Sequence, residues 1–291
     1  MKPAAFTYHR PASLDEALAL LDQLGPQARL LAGGQSLGPM LNLRLARPGH
    51  VIDLNDLTEF AYVRESADAF EVGGLTRHHQ LAESAPLRSA CSLLPMAAQT
   101  IGHYAIRQRG TLGGSLANAD PVAQLALVAV ALDAKITLVR RGGRRELAAR
   151  DFFLGAMSTA LEPNELLLSV RFPKFMAGEV SAFRMFNRRH GDYALVSVAA
   201  TLALLDGKVQ GLRLALCGVA PTPVRLDALA RRFEGQRADV PWARAVADAV
   251  AHAVQPEEDE RVPVSYRRAL AHSLSLRALM RTLEKLEVAS V

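Results

Sequence analysis

Residues 30–39 read LLAGGQSLGP, and residues 110–121 read GTLGGSLANADP. Each stretch sets two adjacent glycines and nearby hydroxyls between an apolar run and a segment with helical spacing. Glycine has no Cβ and reaches positive φ without steric cost, so successive N–H groups can turn inward as an anion nest. A helix beginning just beyond adds partial positive charge. Ser36, Thr111 and Ser115 offer hydroxyl donors to the same oxygens. Two such loops fit the paired phosphates of a pyrophosphate. The plain alternative is that each Gly-Gly only makes a tight turn, and the repeated chemistry weighs against it. Neither loop carries the Gly-Lys-Ser/Thr ending of a P-loop, and no GxGxxG occurs, which disfavours phosphoryl transfer and the ordinary Rossmann fingerprint.

The flanks place these loops between regular elements. SLDEALALLDQL (13–24) opens with Ser13 and Glu16 at capping-box spacing, continues as one apolar stripe and stops at Gly25-Pro26. ARLLA (28–32) and HVIDL (50–54) read as short buried strands, with a short helical stretch between them. FEVGGLTRHHQLAES (70–84) predicts strand, turn and helix start, and 84–103 carries helical spacing. PVAQLALVAVALDA (121–134) predicts a helix with proline at its N-terminus; Asp120 is expected to cap it. KITLVRRGGRREL (135–147) alternates around Gly-Gly as a hairpin, and LLLSVRFP (166–173) reads as a strand ended by proline.

From about residue 178 the texture changes. Residues 181–189, 194–207 and 209–221 read as three strands with Asp206-Gly207 as a turn, followed by helices over 241–253 and 265–287. The fold class expected is α+β, with one domain over 1–176 and a smaller sheet-plus-helices domain over 177–291.

Composition excludes several functions. The 291 residues are half hydrophobic and 22% charged, ordinary for a globular protein. A net charge of +5 invites a nucleic-acid reading, but only Lys2, Lys135, Lys174, Lys208 and Lys285 are lysines, and the arginines are dispersed. The tightest cluster, Arg140, Arg141, Arg144 and Arg145, reads as a hairpin tip, so no nucleic acid is expected. Cys91 and Cys217 are too few for a disulfide framework or an iron–sulfur cluster. Adjacent side chains such as His78 and His79 diverge on regular structure, and no metal site is expected. No apolar run reaches the length of a membrane span, and MKPAAFTYHRPASLDEAL lacks a signal-peptide core, so a cytoplasmic protein is expected.

AGGQSLGPMLNLRLARPGHVIDL together with IGHYAIRQRGTLGGSLANADPVAQLALVAVALDA resembles the FAD-binding medium subunit of the molybdenum hydroxylases, the carbon monoxide dehydrogenase and xanthine dehydrogenase type. The likeness continues through ALEPNELLLSVRFP, RRHGDYALVSVAA and LCGVAPTPVR, nearly the whole chain. It implies a two-part FAD domain of the vanillyl-alcohol-oxidase type and a small C-terminal domain. It also implies cofactor-binding roles. Ala32, Gly33, Gly34, Gln35, Ser36 and Leu37 would line one side of the FAD pyrophosphate, and Thr111, Gly113, Gly114 and Ser115 the other. Ile101 would stand near the cofactor, and Leu166 and Leu167 on the adenine side. Gln124 stands where the family often has a carboxylate that meets a cofactor hydroxyl. Arg184 lies where it commonly offers a lysine. Tyr193 matches a position beside the flavin ring, although spacing alone reads it as core. Asp120 belongs to the same region.

The resemblance further implies an oxidoreductase subunit without its own nucleophile or general base. A molybdopterin large subunit would oxidise the substrate, an iron–sulfur small subunit would relay electrons, and FAD here would pass them to an external acceptor. The assembly expected is a dimer of heterotrimers. Two rivals remain: a self-contained FAD oxidase, disfavoured by the small second domain, and a non-redox nucleotide-binding module.

Overall fold

The computed structural model describes residues 2–289. It opens with β1 (Thr7–His9), α1 (Leu14–Leu24), β2 (Ala28–Leu31), α2 (Leu37–Asn42) and β3 (His50–Asp53), whose strands make a parallel sheet in the order β1-β3-β2. Ser13 caps α1 by accepting from the Glu16 N–H at 3.2 Å, while the Glu16 carboxylate reaches back to the Ala12 N–H at 2.8 Å. The helix buries Ala17, Leu18 and Leu21 against Ile52 and Leu54, and ends at Gly25 with φ +53°. Because β2 and β3 run parallel, their carboxyl ends lie side by side, tied by the Leu54 N–H on the Leu31 carbonyl at 2.9 Å. The first glycine loop leaves from this edge, where open α/β sheets present their ligand sites.

Next come β4 (Val63–Glu65) and β5 (Ala69–Gly73), then six short helices: α3 (His78–Glu83), α4 (Ala85–Ala90), α5 (Leu93–Gln99), α6 (Tyr104–Arg109), α7 (Leu112–Asn118) and α8 (Gln124–Ala131). β6 (Lys135–Arg140), β7 (Gly143–Ala148), α9 (Ala149–Phe152), a small β8 (Phe153–Gly155) and β9 (Ser158–Thr159) hairpin, and β10 (Leu166–Pro173) follow. Five of these strands form an antiparallel sheet in the order β4-β5-β10-β6-β7. Phe70, Phe172 and Ile136 of that sheet are fully buried beneath the helices, each worth about 1.5–3 kcal/mol of burial. Helix α8 is buried from Leu125 to Ala131, which is why its sequence is apolar all round.

Two expectations are corrected in this region. The helical stretch over 84–103 is broken into α4 and α5, with Cys91 as the C-cap of the first. Pro95 lacks an N–H, so a continuous helix would lose a bond there and clash with the preceding turn; the chain restarts instead with proline in a first turn. The helix expected from Pro121 begins at Gln124. Asp120 accepts the Val122 N–H on its carboxylate and the Ala123 N–H on its carbonyl, both at 3.0 Å. Asp120 therefore shapes the turn before α8 and does not cap the helix, whose N-cap is Ala123.

β11 (Val180–Phe186), β12 (Val196–Leu205), β13 (Lys208–Cys217) and β14 (Val224–Arg225) form an antiparallel sheet in chain order, one strand more than the sequence suggests. β14 is two residues long and follows Pro223, so it leaves no alternation to read. Asp206 and Gly207 both have positive φ, as a tight hairpin turn requires. Helices α10 (Asp227–Arg231), α11 (Val240–Ala253) and α12 (Val264–Ala289) follow, the last among the described residues. The sheet is buried on both faces: Phe183, Ala199 and Ala215 join the core around α5 and α8, while Ala182, Val198 and Leu216 face the C-terminal helices. That is why β12 is mostly apolar on both faces, with Ser197 and Thr201 its only polar residues, both buried.

Candidate functional site

The two glycine loops meet. A Cβ built on Gly33 would lie 2.3 Å from the Arg109 carbonyl oxygen and 2.8 Å from Gly110 Cα, so only glycine permits this contact. Gly114 faces Ala32 across the same junction, where a Cβ would sit 3.9 Å from the Ala32 Cβ.

The loops differ in what they leave free. In the first, Gly34 has φ +71°, and the N–H groups of Gly34, Gln35, Ser36 and Leu37 donate to no acceptor among the described residues. The Gln35 side chain folds back onto the Gly33 carbonyl at 3.1 Å, and Ser36 caps α2 without a side-chain hydrogen bond, leaving its hydroxyl available. This is an open nest of donors. In the second loop every donor from Leu112 to Ser115 is already used, and only the Thr111 N–H has no acceptor among the described residues. Leu112 N–H donates to the Thr76 carbonyl at 2.9 Å, Gly113 N–H to the Gly74 carbonyl at 2.8 Å and Gly114 N–H to Thr111 Oγ1 at 3.1 Å. Thr111 is buried as the N-cap of α7, and none of Gly110, Gly113 and Gly114 has positive φ. The two loops therefore differ: the first offers a run of backbone donors, while the second offers a wall, the Thr111 N–H and the free Ser115 hydroxyl. Distant carbonyls, at Gly74 and Thr76, take the second loop's N–H groups.

A hydrogen-bonded strut holds the loops in register. The Asn55 amide donates to the Ala32 carbonyl at 2.8 Å and also to Asp53, while the Asp53 carboxylate accepts from the Tyr8 hydroxyl. Arg77 donates from Nη2 to the Asn55 side-chain oxygen at 2.6 Å and from Nη1 to the Arg109 carbonyl. Burial opposes the charge on Asp53, but the bonds from Tyr8 and Asn55 keep its carboxyl below the usual range. Burial, and then Arg109, lower the Arg77 guanidinium without removing its charge. His78, 5% exposed, makes a 3.0 Å hydrogen bond through Nε2 to the Thr111 carbonyl, which requires a proton on that nitrogen; burial pushes its pKa down to about 4. Sequence reading missed Tyr8, Asp53, Asn55, Arg77 and His78. The one available signal was the Asp-Leu-Asn that follows β3 at the ligand-bearing edge.

The other expected residues spread around this centre. Leu167 backs the second loop through Gly74, where a Cβ would lie 2.5 Å from the Leu167 carbonyl. Leu166 is buried in the core of the parallel unit. The Ile101 carbonyl accepts from Arg107 at 3.0 Å, bracing the turn before α6. The segment bearing Tyr193 docks on that turn: Gly191 (φ +86°) has no room for a Cβ beside the His103 ring. Tyr193 itself is 69% exposed, so the core reading that spacing suggests is corrected. Gln124 contacts the Met185 sulfur at 3.9 Å. Arg184 is not brought to the loops. Strand parity turns Met185 toward α8 and Arg184 toward α11 and α12, on the opposite face.

Residues 4–175 match the family model of the FAD binding domain in molybdopterin dehydrogenase, and residues 181–282 that of the CO dehydrogenase flavoprotein C-terminal domain. The chain belongs to the FAD-binding medium subunits of the molybdenum hydroxylases. This medium subunit is 37% identical to the carbon monoxide dehydrogenase medium chain of Hydrogenophaga pseudoflava, covering 96% of this chain and 97% of that one. It is 37% identical to the caffeine dehydrogenase subunit beta of Pseudomonas sp. strain CBB1, covering 98% and 97%. Among solved structures, carbon monoxide dehydrogenase from Hydrogenophaga pseudoflava superposes with a TM-score of 0.93 at 38% identity, over 98% of this chain and 99% of that chain. Quinoline 2-oxidoreductase from Pseudomonas putida 86 gives a TM-score of 0.93 at 32% identity over the same shares. The medium subunit is thus an FAD-binding oxidoreductase component, and no helix among its described residues is long and apolar enough to cross a membrane. The residues present fit that cofactor: an unpaired run of N–H groups, a free hydroxyl and a neighbouring guanidinium suit a pyrophosphate.

Proposed function

We propose that this medium subunit is the flavin relay of a three-component molybdenum hydroxylase. A large subunit with molybdopterin oxidises the substrate, a small subunit carries electrons through iron–sulfur clusters, and the flavin here delivers them to an external acceptor. The complex is a dimer of heterotrimers in the cytoplasm. The observation that carries the reading is the junction of Gly33 with Arg109 and Gly110, which turns two distant glycine loops into one anion cradle. The cysteines support the division of labour: Cys91 and Cys217 are both buried, and burial raises both thiols, Cys91 to about 12, so neither is placed to ligate a cluster.

Residues 1–176 form the FAD domain, of the vanillyl-alcohol-oxidase type in two parts, and 177–291 the C-terminal domain. The N–H groups of Gly34–Leu37 and the Ser36 hydroxyl bind the pyrophosphate, with Gly33 and Ala32 shaping the approach. Gly113 and Gly114 form the opposite wall and Ser115 adds a hydroxyl. Arg77 supplies positive charge while fixing both loops. Leu166 and Leu167 would support the adenine side, Ile101 and Gln124 would lie near the cofactor, and Tyr193 would lie close to the flavin ring. FAD, when bound, supplies the two-electron redox chemistry; the protein binds, orients and shields it. Purification of the tagged chain from its source cell tests the assignment. Co-purifying iron–sulfur and molybdenum subunits, with one FAD per chain, are expected; a lone chain with full activity contradicts it.

A further inference from the structure

On the far side of the C-terminal sheet, β11, α11 and α12 border an open cleft of about 470 Å³. Four guanidiniums line it, Arg184, Arg244, Arg277 and Arg281, against a single carboxylate, Glu284. That carboxylate is taken by Arg281 at 2.8 Å. Arg184 reaches only the Phe183 carbonyl, at 3.1 Å, and Arg244 and Arg277 have no hydrogen-bond or ion-pair partner among the described residues. Leu276 and Met280 contribute an apolar floor.

The charge is concentrated by the helix period. Arg277, Arg281 and Lys285 stand four residues apart on α12, so they share one face, and like charges at that spacing destabilise a helix. Lys285 donates to the Ser181 carbonyl at 2.6 Å; burial, and then the charges of Arg281 and Arg184, lower its pKa. Arg281 is paired with Glu284, but Arg184, Arg244 and Arg277 have no carboxylate partner in the cleft, and an anion between them would relieve their repulsion. Guanidinium forks match phosphate oxygens in geometry as well as charge.

We propose that this cleft binds a phosphate-bearing small molecule, with its phosphates between Arg184, Arg244 and Arg277 and its apolar part on Leu276 and Met280. Its volume lies in the range of small-ligand sites, about 300–1,000 Å³. The apolar floor between the guanidiniums suits a ligand with both a phosphate and an apolar part better than an extended acidic peptide. It is separate from the flavin cradle, since β11 turns Arg184 away from the face that meets α8.

The test is calorimetric titration of ADP and of inorganic pyrophosphate into the assembled, FAD-loaded complex, whose own cradle is already filled. One saturable ADP site per medium subunit is expected, weakening as salt rises. Arg244→Gln with Arg277→Gln should weaken it at least about tenfold with FAD content unchanged; Arg277→Gln alone, with a smaller loss, serves if the double variant does not assemble. Weaker binding of pyrophosphate than of ADP is expected, since only ADP reaches the apolar floor; equal binding would overturn the placement of an apolar part on Leu276 and Met280. No saturable binding of either probe, equal binding by the variants, or binding of an oligo-glutamate peptide in place of both would overturn the proposal.

Discussion

Arg77 donates to the Asn55 side-chain oxygen at 2.6 Å, and through this bond the carbonyls of Ala32 and Arg109 are held by one continuous strut. The loops they belong to lie more than seventy residues apart in sequence. Asn55→Ala removes the link from both directions and leaves the Ala32 carbonyl and one Arg77 donor without partners. The expected loss is about 1–3 kcal/mol, shared between stability and cofactor affinity. FAD retention by the purified complex during dilution, compared with its unfolding midpoint, measures both; unchanged FAD release would remove the strut from the site.

Ser36 and Thr111 should separate cleanly. Both are hydroxyl residues at helix N-caps, but Thr111 accepts the Gly114 N–H while Ser36 caps nothing with its side chain. Thr111→Ala is expected to cost about 1 kcal/mol of stability through the lost cap. Ser36→Ala should leave stability intact and weaken FAD binding by roughly tenfold to a hundredfold, the worth of one hydrogen bond to a charged group. Paired denaturation and FAD titration curves distinguish the two; a reversed pattern would exchange their roles.

His78 gives the fold an acid-sensitive point. Its folded pKa is about 4, held down first by burial, against an ordinary value near 6.5. The unfolded chain therefore binds the proton more readily between those values. Stability from neutral His78 is present above about pH 6.5 and is lost as pH falls toward 4, by up to ~3 kcal/mol. Because the added proton lands on Nδ1, buried without a partner beside the turn that carries Thr111, FAD release should steepen over the same range. His78→Gln should flatten this part of the stability profile, and a wild-type profile level from pH 7 to 4 would contradict the assignment.

Much of this fold is written in local sequence. Ser13, the Gly25-Pro26 stop and the Asp206-Gly207 turn each act within a few residues, and the structure has an element boundary at each. The glycine loops are legible for the same reason. What escapes is whatever depends on distant chain. The carbonyls of Gly74 and Thr76 silence the second loop's donors, and Asn55 and Arg77 become a strut only when β3 and the α3 turn meet. Arg184 is named by resemblance alone, and the face of β11 it occupies is set by packing against α11 and α12, which no local signal carries. Pro95 could be read, but its effect in splitting a helix competes with a convincing apolar period.

Gly33→Ala addresses the contact between the loops. The added Cβ would meet main-chain atoms of Arg109 and Gly110, which cannot rotate away as a side chain would. The loops must part, and at least a tenfold drop in FAD per complex is expected, read from flavin absorbance after gel filtration. An alanine variant with full FAD content would mean that the junction tolerates separation.

Amide hydrogen exchange on the complex, with FAD bound and with FAD removed, tests the cradle most directly. The N–H groups of Gly34, Gln35, Ser36 and Leu37 have no protein acceptor among the described residues, whereas Leu112, Gly113 and Gly114 already have theirs. FAD should therefore protect the amides of 34–37 strongly and change those of 112–114 little. Protection of 112–114 with exchange at 34–37 unchanged would contradict the one-sided nest on which the site is built.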